Sequence, residues 1–239
     1  MTFALRCIGF QFDSRFHIKD EMAAQGDSAK SFHYQYSKAN GFNPEEYITS
    51  GLGINLLYDS RDNQVNAYRG YYANINYLFN LTALGSTSNS TLLLTEYRSF
   101  HVLDNRKRGH VLAFWLYGSF VVSGKMPYLA LPAIGNDQRQ RSGRGYPFGT
   151  FRGNDLLIGE SEYRFPISQT TGMLGGVLFL NTTTTSNREA GIKLLQYLRP
   201  AWGGGLRLMI EKRSRTRLQV DVAVTGRNVG VYFGAQETF

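Results

Sequence analysis

Cysteine, histidine and long apolar runs are scarce in this sequence of 239 residues. The single cysteine, Cys7, excludes an internal disulfide framework and any zinc site built from several cysteines. No stretch approaches the roughly 18 consecutive apolar residues that a transmembrane helix needs. The histidines show no metal-ligand spacing and no HExxH motif; they are His17, His33, His101 and His110. We therefore predict no bound metal, no cofactor and no membrane-spanning helix.

The charge is basic, yet no nucleic-acid-binding motif accompanies it. Lys and Arg number 26 and Asp and Glu 18, which gives a formal net charge of +8. Without a basic helix, a zinc finger or an RNA-binding motif, nucleic acid is not predicted as a partner. A nucleophile elbow is also missing, and Asp59 and Asp62 are explained more simply as turn-capping residues than as metal ligands. We predict that the protein is not an enzyme.

Glycine and aromatic residues are abundant, and apolar residues alternate with polar ones. The chain has 26 Gly, 15 Tyr and 16 Phe. In 217–224 every even position is aliphatic, and the same period of two recurs in 73–81 and 206–211. Such strands have one apolar and one polar face. A soluble β-sandwich and a membrane β-barrel with a watery interior both produce this pattern.

About ten segments have the length and alternation of barrel strands. They are 3–12, 47–58, 70–84, 90–103, 109–123, 155–167, 172–182, 202–213, 216–226 and 230–239.

The connections between these segments sort by parity. The connections after the second, fourth, sixth and eighth segments are short: 59–69, 104–108, 168–171 and 214–215. Those after the first, fifth and seventh are long: 13–46, 124–154 and 183–201. Outer-membrane barrels have short turns at one rim and long loops at the other, whereas a sandwich has no reason to separate them. The pattern favours a barrel, and we expect a short helix within 13–46.

A barrel of this kind must be exported, yet no signal peptide is visible. The apolar run in residues 1–10 is short and is interrupted by Arg6. We therefore expect that Met1 is not the natural start of the full protein and that the chain is a fragment or a truncated gene product.

The loop 124–154 is rich in glycine and arginine. Four arginines in one loop repel each other unless carboxylates lie nearby, and arginine suits a bidentate, partly desolvated carboxylate contact. An exposed basic loop without fixed partners is the alternative from the residues alone. The four are Arg139, Arg141, Arg144 and Arg152.

Two motifs carry a family resemblance. Residues 57–63 with 68–72, read as LYDSRDN and YRGYY, and residues 143–153, read as GRGYPFGTFRG, resemble the BamA/TamA-type superfamily of outer-membrane protein insertases and translocases, also called bacterial surface antigens. The first motif is interpreted as a hairpin turn without activity. In the family, the second lies at the tip of a loop folded back into the barrel.

The resemblance implies site residues by position. The loop motif corresponds to Arg144, Gly145, Tyr146, Gly149 and Arg152. Its arginine is expected to meet carboxylates on the inner wall, for which Glu162 is the first positional match. Asn181 stands at the second position and carries no charge, so the anchor is expected to be weaker or to rest on Glu162 alone.

The segment 230–239 resembles the final strand of outer-membrane barrels, which ends in an aromatic residue. By resemblance, Phe239 is the signal that the assembly machinery reads. Alternation places Val231, Phe233, Ala235 and Phe239 on the lipid face.

We therefore predict an all-β protein: one outer-membrane domain over residues 1–239, an antiparallel transmembrane β-barrel of about ten meandering strands with an inward loop at about 124–154. By resemblance it is the C-terminal part of a barrel of about sixteen strands. The expected function is insertion or translocation of proteins at the bacterial outer membrane. Expected partners are outer-membrane lipids, the assembly machinery and unfolded or translocating protein substrates. The alternative is a passive pore or a membrane anchor for an exported, possibly catalytic, domain.

Overall fold

The computed structural model describes residues 2–4, 9–12, 16–17, 31–103, 109–137 and 139–239. A helix, α1, spans Phe32–Asn40; Ser31 caps its start and Gly41, with φ of 74°, ends it. This is the short helix expected within 13–46. None of the described helices has the length and apolarity needed to cross a membrane. Within the described residues, 3-10 turns lie at Thr82–Leu84 and Tyr128–Ala130.

The described strands form one antiparallel sheet and a small separate pair. Strands β5 to β12 each pair with the next strand along the chain, and β1 and β2 both pair with the other edge of β5. In the part of the chain that the structure describes, β3 and β4 pair only with each other. The bounds are β1 Thr2–Ala4, β2 Gly9–Phe12, β3 Phe16–His17, β4 Glu46–Tyr47, β5 Ser50–Asp59, β6 Gly70–Asn80, β7 Ser90–Val102, β8 Val111–Gly124, β9 Asp155–Pro166, β10 Leu174–Ser186, β11 Arg199–Glu211, β12 Thr216–Val224 and β13 Val229–Gly234.

The predicted meander of about ten strands is confirmed, with β1 and β2 together taking the place of the first segment. Strands β10 and β11 extend further toward the long-loop rim than expected, so the connection between them is 187–198. The predicted short turn at 104–108 lies outside the described residues.

The last predicted strand, 230–239, is wrong at its end. Strand β13 stops at Gly234, and Phe239 is 2% exposed inside the curl of the sheet. Val231 and Phe233 are exposed as expected, and Ala235 is exposed but lies beyond the strand. Alternation predicts faces only while the chain stays in the sheet, and here it leaves.

The two faces of the sheet differ sharply in chemistry. On β11 and β12 the outward residues Leu206, Leu208, Val220 and Val222 are each more than 40% exposed, whereas inward Arg207 is fully buried. An exposed apolar surface repeated over many strands is unfavourable in water but favourable in the hydrocarbon of a bilayer.

The enclosed side holds the core of the protein. Trp115 of β8, Ile134 of the loop 124–154, Ile158 of β9, Ala67 of the 59–69 turn and Phe239 belong to one buried apolar cluster. The interior of the curl is thus filled from the long-loop rim, from the short-turn rim and by the segment after β13.

The 59–69 turn folds across the short-turn rim. The Oδ1 atom of Asp62 accepts from the main-chain N–H groups of Tyr68 and Arg69 at 2.8 and 3.1 Å, as a turn-capping residue should. Gly70 has φ of 105°, and a Cβ there would lie 2.4 Å from the carbonyl oxygen of Ser60. The other Asp62 oxygen accepts from Arg215, 2.6 Å away in the turn between β11 and β12. This contact joins hairpins that lie far apart along the sheet, so the sheet is strongly curled.

Candidate functional site: the loop inside the curled sheet

The loop 124–154 is ordered by a carboxylate cap of its own. The side chain of Asp137 accepts from the main-chain N–H groups of Arg139, Arg141 and Ser142, with distances of 2.7 to 3.2 Å. Gly143 follows with φ of 71°, a conformation that favours glycine. This turn directs the next residue, Arg144, toward the sheet.

Arg144 is 1% exposed and surrounded by carboxylates from two strands. Its Nη1 lies 2.7 Å from Oδ2 of Asp221 on β12, and its Nη2 lies 2.5 Å from Oε1 of Glu160 on β9. The same Nη2 also donates to Glu162. Burial alone would lower the pKa of Arg144, but the three carboxylates outweigh it and raise the pKa above its ordinary value. The guanidinium therefore stays charged.

The aromatic ring of Phe179, on β10, completes the seat of Arg144. The guanidinium carbon lies 3.5 Å from the ring centroid, which is a stacked cation–π contact. The amide nitrogen of Asn181, two residues along the same strand, donates to the main-chain oxygen of Arg144 at 2.9 Å. Asn181 therefore holds the backbone of the motif and not its charge.

Behind Arg144 the carboxylates are held by further arginines. Arg164 donates to Glu162 from Nε and Nη2 at 2.8 and 2.7 Å. Arg207 reaches Asp221 at 2.5 Å and Glu237 at 2.7 Å. With Arg217, 4.0 Å from Glu237, the network within the described residues has four arginines and four carboxylates, whose formal charges sum to zero. Buried charges persist only when paired in this way.

The next two residues of the motif bind two more strands. The N–H of Gly145 donates to the hydroxyl of Tyr232 on β13 at 2.8 Å, and the hydroxyl of Tyr146 donates to the carbonyl of Pro200 on β11 at 2.8 Å. Gly145 has φ of 104°, and a Cβ there would lie 2.9 Å from side chains of Ala201 and Thr225. Residues 144–146 thus contact every strand from β9 to β13.

Gly149 and Arg152 lie apart from this cluster. The N–H of Gly149 donates to the carbonyl of Ile134 at 3.0 Å, which closes the loop on itself. Arg152 donates to three main-chain carbonyls of the same loop, at 2.7 to 3.2 Å, and not to a carboxylate. Burial lowers the pKa of Arg152. Both residues build the loop.

Of the expected wall partners, the structure brings Glu162 and Asn181 to Arg144, and their roles in function stay predictions. No prediction from the sequence included Asp221, Arg207 or Glu237 in the site. The signal for the first two was present, because both lie at the polar positions of alternating strands. Gly205 allows their pairing, since a Cβ there would lie 1.9 Å from Oδ1 of Asp221.

Comparison with known proteins agrees with this geometry. The model of the Omp85 superfamily domain matches residues 4–239. Among solved structures, the crystal structure of BamA from Haemophilus ducreyi lacking POTRA domains 1–3 is similar, with a TM-score of 0.67 and 15% identity. The match covers 87% of this chain and 47% of that one, so this chain spans about half its length. A search of curated proteins found no match. The chain belongs to the Omp85 superfamily and is an integral β-barrel protein of the bacterial outer membrane.

Proposed function

We propose that this chain acts in the insertion or translocation of proteins at the outer membrane. Membership of the superfamily supports an insertase- or translocase-type role. The observation that carries the proposal is the burial of Arg144 among carboxylates of β9 and β12. These ion pairs join the loop to the inner face of the sheet and stiffen that part of it.

The proposed mechanism is mechanical and uses a strand edge. Within the described residues, β13 pairs with β12 on one side and has no partner strand on the other. Unpaired N–H and C=O groups at such an edge bind an incoming extended chain by β-augmentation. Because the loop contacts β9 to β13, these strands keep their shape while the edge accepts a substrate strand.

A passive pore is the competing proposal. The interior is occupied by the loop, by the 59–69 turn and by the segment after β13, which together contribute Ile134, Ala67 and Phe239 to the buried cluster. This filling favours the insertase proposal over a permanently open channel. The alternative of an anchor for an exported domain draws no support from any contact of the described residues.

The experiment compares insertion by two variants in proteoliposomes. The refolded chain is reconstituted, a urea-denatured outer-membrane barrel is added, and its folding is followed by the mobility shift on unheated gels. Arg144→Lys keeps the charge but loses the bidentate fork, and we expect it to slow substrate folding by about tenfold or more. Arg213→Lys, at an exposed turn residue, is the matched control and keeps the wild-type rate.

Two results contradict the proposal. One is a wild-type chain that gives no acceleration over empty liposomes while it conducts ions steadily in planar bilayers. The other is Arg144→Lys inserting substrate as fast as Arg213→Lys.

A further inference from the structure

Residues 235–239, named here the lumenal segment, leave the sheet and enter its interior. The last pair between β12 and β13 joins Gln219 to Gly234, although β12 begins three residues earlier at Thr216. The lumenal segment therefore does not pair with Thr216–Leu218 of β12, although these residues are part of that strand. Glu237 is 0% exposed and Phe239 2%.

A carboxylate subsite holds the side chain of Glu237. Arg207 Nε lies 2.7 Å from its Oε2, and Arg164 and Arg217 each approach within 4.0 Å. Three guanidiniums around one carboxylate form a strongly anion-selective position, because arginine in a water-poor interior binds carboxylate through charge-assisted hydrogen bonds.

An aromatic subsite lies two residues further along. The ring of Phe239 stacks on Trp115 with centroids 5.3 Å apart and an interplanar angle of 28°. Phe100 lies 6.2 Å away, and the guanidinium of Arg164 covers the ring at 5.3 Å. Arg164 also donates to the main-chain oxygen of Phe239 at 3.2 Å. A flat aromatic side chain fits this position by both stacking and cation–π contact.

The backbone of the lumenal segment is held by the loop. Arg139 donates to the carbonyl of Glu237 at 2.9 Å, and Arg141 donates to the carbonyl of Gln236 at 3.2 Å. A Cβ on Gly234 would lie 2.0 Å from Nη2 of Arg141, so a larger residue there would displace that guanidinium. Because these contacts are to main-chain carbonyls, they do not depend on which side chains the segment carries.

From these three elements we propose that the interior contains a peptide-binding site for an acidic residue placed two positions before an aromatic one. The lumenal segment occupies the site in cis. When β13 extends along Thr216–Leu218 of β12, the segment leaves, and a segment of the same chemistry from another polypeptide takes its place. The inference rests on the proposed function, for which it names the substrate feature that is bound.

The experiment measures peptide binding by the full chain in detergent micelles. The probe is a fluorescein-labelled peptide with the sequence of residues 231–239, and the control peptide has Gln in place of Glu237 and Ala in place of Phe239, with Phe233 kept. In the double variant Glu237→Gln, Phe239→Ala the site is emptied of its own ligand. We expect the probe to bind this variant at least tenfold more tightly than wild type, and the control peptide to bind at least tenfold more weakly than the probe.

A second measurement locates the bound peptide without any variant. The probe with benzoylphenylalanine in place of Phe239 is added in large excess to the wild-type chain, irradiated and mapped by mass spectrometry. Cross-links at Phe100 and Trp115 that the unmodified probe suppresses support the proposal. This arm decides the question if the double variant fails to fold.

Three results overturn the inference. The folded double variant binds the probe and the control peptide equally, or it binds the probe no more tightly than the wild-type chain does. The third is a cross-linked probe found only on the outer face of the sheet. Peptide binding is measured without insertion activity, so the two proposals fail separately. A chain that inserts substrates but does not bind the probe contradicts only this inference.

Discussion

The guanidinium of Arg144 lies 2.7 Å from the carboxylate of Asp221, although 77 positions separate the two residues in the sequence. Arg144 comes from the long-loop side of the molecule and Asp221 from the inner face of β12. The ion pair therefore fixes the loop to a strand that lies much later in the sequence. It also defines where the inside of the sheet is.

Removal of the guanidinium should destabilise the fold strongly. Arg144→Ala leaves Glu160, Glu162 and Asp221 buried with one partner fewer, and breaking a buried pair from one side costs about 3–5 kcal/mol. The measurement is the urea midpoint in detergent micelles, followed by gel mobility. Arg213→Ala, in an exposed turn, should leave the midpoint unchanged. Equal midpoints for both variants would show that the network does not stabilise the sheet.

Gly145 should tolerate no side chain. In Gly145→Ala the residue must keep φ near 104° while its Cβ meets Ala201 and Thr225 at 2.9 Å, so strain of about 1–3 kcal/mol is expected. Gly172→Ala is the matched control, since Gly172 also has positive φ, 63°, but nothing lies within 4 Å of its Cβ position. We expect Gly145→Ala to lower the urea midpoint clearly more than the control. A similar loss in both variants contradicts the tight approach.

The contact between the short turns should make stability depend on pH. Burial alone would raise the pKa of Asp62, but hydrogen bonds from Arg215 and from the N–H groups of Tyr68 and Arg69 outweigh it and lower the pKa. A carboxyl group whose pKa is lowered by folding stabilises the folded state fully when the pH is above its pKa in the unfolded chain, about 3.9. This contribution is lost as the pH falls through the pKa of the folded state.

Asp62→Asn tests this dependence. The difference in urea midpoint between wild type and Asp62→Asn should be greatest near pH 6 and shrink as the pH falls below about 4. The difference in urea midpoint between wild type and Arg215→Ala should shrink over the same pH range, because this variant removes the partner of the carboxylate. A difference that stays constant from pH 6 to pH 3 refutes the assignment.

The outward face should reject charge when the chain is in a bilayer. Val222 is 42% exposed on β12, next to inward Ala223. Val222→Arg should cost about 2–4 kcal/mol if the site lies near the bilayer midplane, and the loss is measured from unfolding in lipid vesicles. Val222→Leu is the control and should be neutral. An arginine tolerated as well as leucine would indicate that this face meets water.

Strand identity and the order of loops were predictable from the sequence because both depend on local pattern. The alternation in 217–224 sets which side chains of β12 face outward, and Leu218, Val220 and Val222 do so. Register, however, depends on pairing between segments. The pairing of β10 with β11 continues as far as Thr183 and Arg199. This extra length could not be predicted, because the ends of both segments are polar.

The candidate site was only partly predictable. The family resemblance implied Arg144 and Glu162, but a further carboxylate partner of Arg144 is Asp221, on a strand that no motif marks. Asn181 meets the main chain of Arg144 instead of its guanidinium. Partners across the interior depend on how tightly the sheet curls, which local spacing does not record.

An antiparallel sheet with an apolar and a polar side could be predicted from local pattern, because a period of two along each strand is a local property of the backbone. The positions of Glu237 and Phe239 depend instead on contacts across the folded chain. By position both would continue the outward row of Val231 and Phe233, yet Arg207 and Trp115, far away in sequence, offer them a buried ion pair and an aromatic stack. A buried charge takes the position where its partner lies, and that position exists only after the sheet has curled around it.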